Sequence, residues 1–296
     1  MILTPRANTS KSCRRRCGEA RRSRFVGPDE HPAAVNAEFY DGLAPHYHLL
    51  FRDWEQAVRV QGSALSSLLI DLGIGLEDPV HDASCGIGTQ TIGLAALGHR
   101  ISASDISPLA VQRLKTETRD RGLPIPSFVD DLRKLEGIAP GTLAALLACD
   151  NSVPHLLTDE EIGNAFEVWW QRLRPGGVAV ISVRDYANIP RISPDVRPYG
   201  LHYHDGCRWL AVQVWEWDGE HYEIRMYLST ETAAGACTTQ VLRSKYYAVS
   251  IEKLCELFAD SGFVDVRRHD DVLFQPVITA RKPQGPRLIV STEAHG

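Results

Sequence analysis

Paired cysteines, long apolar runs and a basic surplus in its body are what this 296-residue sequence lacks, and each shortage removes a class of function. The seven cysteines, Cys13, Cys17, Cys85, Cys149, Cys207, Cys237 and Cys255, are odd in number and form no CxxC pair. They read as free thiols in a reducing cytoplasm rather than as a disulfide framework or a zinc ribbon. No apolar stretch approaches the roughly 20 residues that a membrane-spanning helix needs. His202 and His204 are spaced like a metal pair, but no carboxylate completes a ligand set, so no metal is expected. The net charge of −5 is unevenly spread: residues 1–24 hold eight Arg and Lys against Glu19, and the remainder holds 24 basic and 36 acidic side chains. A body that acidic is ill suited to gripping DNA or RNA. The basic head has no apolar core of a secretory signal, and is expected to be an unstructured leader.

What the sequence does have starts with DASCGIGTQ, residues 82–90. Asp82 closes an expected strand, 79–84. Gly86 and Gly88 then let the backbone turn tightly and approach a ligand. A helical run follows, and a second strand, 100–106, ends in the carboxylate of Asp105. A glycine turn followed about 20 residues later by an acid that accepts from ribose hydroxyls is a nucleoside-binding pattern. A dinucleotide would favour a third glycine where Thr91 stands, and its pyrophosphate would be repelled by Asp82. A cationic ligand reverses that preference. S-adenosylmethionine, which carries a sulfonium and an ammonium, is therefore the expected cofactor, with S-adenosylhomocysteine as product, and an NAD-linked oxidoreductase is disfavoured.

Before this motif, residues 34–73 read as two helices broken near Pro45 and Asp53. The aromatic and polar groups Phe39, Tyr40, His46, Tyr47, His48, Phe51 and Trp54 suit either a core stripe or a lid over the site. After it, strands are expected at 126–132 and 142–150, with Ser107-Pro108 opening one helix and the Thr158/Glu161 capping box opening another. RPGG, 174–177, turns into a fifth strand, 178–183. This alternation implies a parallel sheet covered by helices on both faces. From 184 to 249 the pattern changes to alternating runs. Two of them join at Asp218-Gly219, a strong hairpin signal, and 238–249 offers a third strand. Trp215 and Trp217 share one side of their strand and are expected to pack against the sheet. A helix opening at Ser250 and strands near 264–269 and 276–282 close the pattern.

These residues resemble the class I S-adenosylmethionine-dependent methyltransferases over roughly residues 39–282. The segment ACDNSVPHLL, 148–157, together with SVRDY, 182–186, is similar to the glycine/sarcosine N-methyltransferases, with Asp185 standing where that family has Asn. The resemblance implies an α/β, Rossmann-like fold: a mostly parallel seven-stranded sheet, its last strand antiparallel, with a small antiparallel β insertion after strand five. The implied domains are a leader (1–32), a helical lid (33–78), a cofactor-binding core (79–183 and 250–283), an acceptor-side insertion (184–249) and a tail (284–296).

On the cofactor side, the resemblance implies Asp82, Gly86 and Gly88 at the methionine end, Asp105 on the ribose, Ile106 against adenine, and Asp131 and Leu132 at the adenine edge. Ser84, Cys85, Cys149 and Trp54 complete that set. On the acceptor side it implies Asn151, Arg184 and Tyr186, with Arg184 gripping a carboxylate. His155 would orient the amine or take its proton, and Tyr40 and Tyr47 would meet the sulfonium. The expected reaction is transfer of a methyl group to the amine of a small, carboxylate-bearing molecule in the cytoplasm, without nucleic-acid or membrane partners. The oligomeric state stays open, a homo-oligomer included. The alternatives are an O- or N-methyltransferase of a larger secondary metabolite, and a non-catalytic protein that only binds S-adenosylmethionine.

Overall fold

A computed structural model describes residues 32–285; the expected leader and most of the expected tail lie outside the described residues. The chain opens with α1 (Pro32–Leu43), a short turn of 3-10 helix (Tyr47–Leu50) and α2 (Trp54–Asp71). It then alternates β1 (Val80–Asp82), α3 (Thr89–Ala96), β2 (Ile101–Asp105), α4 (Pro108–Asp120), β3 (Ser127–Val129), β4 (Leu143–Ala148), α5 (Asp159–Arg172) and β5 (Leu173–Ser182). Four long strands follow: β6 (Asp195–His204), β7 (Cys207–Asp218), β8 (His221–Glu231) and β9 (Cys237–Tyr247). The chain closes with α6 (Ile251–Asp260), β10 (Val264–His269) and β11 (Val277–Arg281).

The seven-stranded sheet has the order β10-β11-β5-β4-β1-β2-β3. Only β11 runs against its neighbours, pairing antiparallel with both β5 and β10. The order reverses between β1 and β4, the place in an open α/β sheet where a crevice forms at the carboxyl ends of the strands. β4 shows how context overrides propensity: LAALLA has helix-forming composition, yet all six residues are buried. Leu146 and Ala148 join the core under α5 and α6 with Phe166, Trp169 and Phe258, whereas Ala145 and Leu147 join the opposite core with Leu65 and Leu69 of α2.

That second core corrects the expected lid. α2 packs against the sheet and α3, so the part of the N-terminal segment that covers the site is α1 and the turn after it. The contact with α3 is backbone on backbone: a Cβ on Gly62 would stand 2.5 Å from Gly93 Cα. The helix starts are where the caps place them. Asp53 accepts from Gln56 N, and Ser107 accepts from Ala110 N with Pro108 at the first helical position.

The insertion has four strands, one more than expected, in the order β6-β7-β8-β9. The extra strand, β6, carries Pro198 and Gly200, residues that read as punctuation in sequence. It tolerates them because it lies at the sheet's edge with a register shift at that point. One face of this sheet packs on α1: Trp215, Tyr222, Ile224, Met226, Leu228 and Tyr246 bury against Phe39 and Leu43. Trp215 and Trp217 thus pack as expected. Among the described residues, no helix is long and apolar enough to cross a membrane.

Candidate active site

The loops after β1, β2, β3 and β4 meet under α1 and line one cavity. The floor is the turn 83–88. Gly86 sits at φ +51 with open space where a Cβ would go, and its N–H donates to Asp105 Oδ2 at 2.8 Å. Ser107 N donates to Asp105 Oδ1 at 2.9 Å. Asp105 therefore pins the glycine turn to the end of β2, and each oxygen keeps a lone pair for a further donor. Burial pushes its carboxyl above the usual range, despite those two amides. Gly88, at φ +101, serves packing instead: a Cβ there would stand 2.4 Å from Leu114 Cδ1.

Several expected cofactor residues lie behind the wall rather than in it. Asp82 is 1% exposed and accepts from Thr91 Oγ1 at 2.6 Å and from Ser84 N at 3.3 Å. Burial pushes its carboxyl up to about 7. Thr91, read in sequence as a missing glycine, is thus the partner that anchors Asp82. Trp54 donates from Nε1 to Thr89 Oγ1 at 2.9 Å, and so braces the start of α3 from outside the cavity. Cys149 is buried under the loop after β4. Ser84, Cys85, Gly86, Asp105, Ile106, Asp131 and Leu132 do line the cavity. So does Arg133, which the sequence reading missed. Its guanidinium donates to both oxygens of Asp131, so that Asp131, which burial alone would raise, is held below the usual carboxylate range.

Tyr40 and His155 close the cavity from the lid side. His155 Nδ1 lies 3.3 Å from the Lys245 carbonyl oxygen, which only accepts, so Nδ1 carries the proton. Ser244 Oγ, 3.3 Å from the same nitrogen, gives its own proton to Asn36 Oδ1 at 2.8 Å and agrees with that tautomer. Nε2 is then the acceptor, and it takes the Tyr40 hydroxyl proton at 2.8 Å. Burial, with Arg184 adding to it, lowers the imidazole to about 3. Nε2 thus holds the Tyr40 hydroxyl while Nδ1 is held by the Lys245 carbonyl, an arrangement that orients Tyr40.

A second cavity opens beside the first and shares Tyr47 and Asp150 with it; Arg52, Gln61, Arg184, Tyr199, Phe274 and Gln275 are also in its wall. Arg184 is the notable cation. Its Cζ lies 5.1 Å from the Trp215 ring centroid and 5.6 Å from that of Tyr246, and Nη1 donates to the Tyr222 hydroxyl at 3.3 Å. No carboxylate among the described residues lies within ion-pair distance of it; the neighbouring Asp185 pairs with Arg268 instead. Asn151 and Tyr186, expected to touch the acceptor, stand behind it. Asn151 is fully buried, accepts from Arg184 N at 3.0 Å, and donates to the Tyr186 hydroxyl at 2.8 Å; that hydroxyl lies 2.9 Å from the hydroxyl of Tyr222. These groups hold Arg184 in place.

The wall fits the expected cofactor better than it fits a dinucleotide. Among the described residues, Ser84 Oγ and Asp150 Oδ1 are buried with no partner, and Asp105, Asp131 and Asp150 line the cavity against the cation Arg133. That surplus of carboxylate attracts a sulfonium and an ammonium and repels a pyrophosphate.

Comparison with known proteins agrees. Residues 80–177 match the model of a methyltransferase domain. The chain is 24% identical over 202 residues to a glycine/sarcosine N-methyltransferase of Halorhodospira halochloris, covering 64% of this chain and 73% of that one. In fold it is similar to CalS10, an amino pentose methyltransferase from Micromonospora echinaspora solved with S-adenosylmethionine bound, with TM-score 0.66, 16% identity, and coverage of 80% and 95%. It is equally similar to DesVI of Streptomyces venezuelae, with TM-score 0.66, 16% identity, and coverage of 86% and 99%.

Proposed function

We propose that this chain, a class I methyltransferase with S-adenosylmethionine as its cofactor, methylates the nitrogen of a small amine that also bears a carboxylate. One observation carries the reading: Arg184 is a guanidinium without an ion-pair partner, boxed by Trp215, Tyr246 and Tyr222, in a cavity that shares two residues with the cofactor cavity. A guanidinium so placed has donors in the planar fork that matches a carboxylate.

Ser84, Gly86, Asp105, Ile106 and Leu132 would hold the cofactor, with the Asp131–Arg133 pair at its far end. When bound, S-adenosylmethionine supplies an electrophilic methyl group on a sulfonium. The chain's own residues hold the acceptor nitrogen at that group, and positioning of this kind accounts for much of the barrier lowering in such displacements. Tyr40 gives its proton to His155, so its oxygen meets the cavity as an acceptor. α1 and the turn after it line one side of the site through Asn36, Tyr40 and Tyr47.

The name of one relative, a glycine/sarcosine N-methyltransferase, supports nitrogen as the target. A bulkier amine is the second reading, favoured by Phe274, which lines the acceptor cavity and is 70% exposed at its mouth. Labelled S-adenosylmethionine, incubated with amino acids, amino sugars and phenols, separates these. The account expects label on the nitrogen of carboxylate-bearing amines; label confined to hydroxyl oxygens would reject it.

A further inference from the structure

Asp150 stands where the two cavities meet and lines both of them. Its backbone is left-handed, at φ +57, a region that residues with a Cβ enter at a cost and that recurs at functional positions. Its amide donates to Ser182 Oγ at 2.8 Å, which locks the turn at the end of β4. Its Oδ2 accepts from Gln90 Nε2 at 3.0 Å, a side chain that also donates to Gln61. Its Oδ1 is buried with no partner. A bare, buried carboxylate oxygen is costly, and calls for a donor that the described residues do not supply.

We propose that Asp150 Oδ1 binds the ammonium group of the acceptor and removes its proton, so that the chain recognises a zwitterion, with Arg184 at the carboxylate and Asp150 at the nitrogen. This inference rests on the amine reading above. In the step, one N–H bond of the ammonium breaks and its electron pair stays on nitrogen. The proton forms an O–H bond with Oδ1, and carboxylate and ammonium become carboxylic acid and neutral amine. The proton passes to water when the methylated product leaves.

His155 does not compete for this role, because its Nε2 is taken by Tyr40 and its Nδ1 carries a proton. The groups that face Asp150 also suit it. Burial raises its carboxyl, while Gln90 from α3 and the charge of Arg184 from the end of β5 lower it. Tyr47 from the turn after α1, Asp82 from β1 and Cys149 before it feel its charge in turn. A carboxylate seated on Arg184 offsets that cation, and so makes Asp150 a stronger base when an acceptor is in place.

The test compares wild type, Asp150→Asn and Asp150→Gly using glycine, sarcosine and glucosamine as acceptors. Both variants should lower kcat/KM for the best amino acid at least ~100-fold at neutral pH, in the range of general-base effects. Their rate should recover as pH rises and free amine accumulates, while affinity for S-adenosylhomocysteine stays within about twofold of wild type by calorimetry. Asp150→Gly should melt no lower than wild type, since glycine tolerates the left-handed backbone. Turnover and pH profile retained in either variant overturn the role of Asp150 and leave the amine reading standing. Equal loss of S-adenosylhomocysteine affinity would make Asp150 a cofactor holder and overturn it as well. If wild type binds S-adenosylhomocysteine but methylates neither amino acid, the amine-and-carboxylate reading fails, and this inference with it.

Discussion

The two cavities are built in different ways. The floor of the cofactor cavity is made of short contiguous segments at the ends of β1 to β3: backbone amides, a glycine turn, and the carboxylates of Asp105 and Asp131 fixed within two to 19 residues of their partners. The cover of that cavity and the wall of the acceptor cavity are made of side chains far apart in sequence. Tyr40 meets His155 across 115 residues, Ser244 meets Asn36 across 208, and Arg184 meets Tyr222 across 38. The first is a property of local sequence, the second of how an inserted sheet packs on α1. The floor of the cofactor side should therefore respond to changes at the glycine turn and the helices beneath it, and the cover and the acceptor side to changes in the insertion and α1.

The largest expected effect strikes the foundation of the cofactor side. Gly62→Val drives a side chain into the backbone of α3, whose start carries the glycine turn, and should cost about 3 kcal/mol of stability, read by urea denaturation. An unchanged midpoint would mean that α2 and α3 are not held as close as described. Asp105→Ala should be milder and selective. It should weaken S-adenosylhomocysteine binding by ~1–3 kcal/mol through lost hydrogen bonds, with the acceptor KM unchanged at saturating cofactor. Loss of acceptor affinity alone would erase the distinction between the cavities.

The smallest effect is a pH dependence. Burial holds His155 at about 3 and His81 at about 4, below the ~6.5 of an exposed imidazole. In that window the unfolded chain binds more protons. The histidines' contribution is therefore fully present above pH ~6.5 and is lost as pH falls toward 4, while Asp82, raised to about 7, opposes that slope over the same window and leaves a small net change. His155→Asn should flatten that slope and free the Tyr40 hydroxyl, whereas an unaltered slope between pH 4.5 and 7 would show that His155 is not held neutral.

The same contrast explains what the sequence disclosed. The glycine turn, Asp105, the caps at Ser107 and Thr158, and the Asp218-Gly219 hairpin are local signals, and each stands where its chemistry puts it. The resemblance placed Asp82, Cys149 and Trp54 at the cofactor, and the structure sets them one layer back, because spacing along a chain does not separate a wall from its support. Asp150 went unread because nothing local marks it: the second of its two cavities takes its wall from residues as far along the chain as Arg184, Tyr199 and Gln275. Arg133 pairs two residues back with Asp131, a contact that sequence offers no reason to prefer over a surface ion pair. β6 was hidden by Pro198 and Gly200, which an edge strand accommodates.

The central claim is that one side of this site binds the methyl donor and that Arg184, on the other, binds the acceptor's carboxylate. The most direct measurement is the pair of affinities in Arg184→Ala: the dissociation constant of S-adenosylhomocysteine by calorimetry, and the KM of the best carboxylate-bearing amine. Losing a charge-assisted contact of this kind should cost ~2–5 kcal/mol on the acceptor, raising KM by a factor of 30 or more (about 1.4 kcal/mol per tenfold), while the first constant stays within about twofold. An acceptor KM that does not move, or two affinities that fall together, would contradict the account.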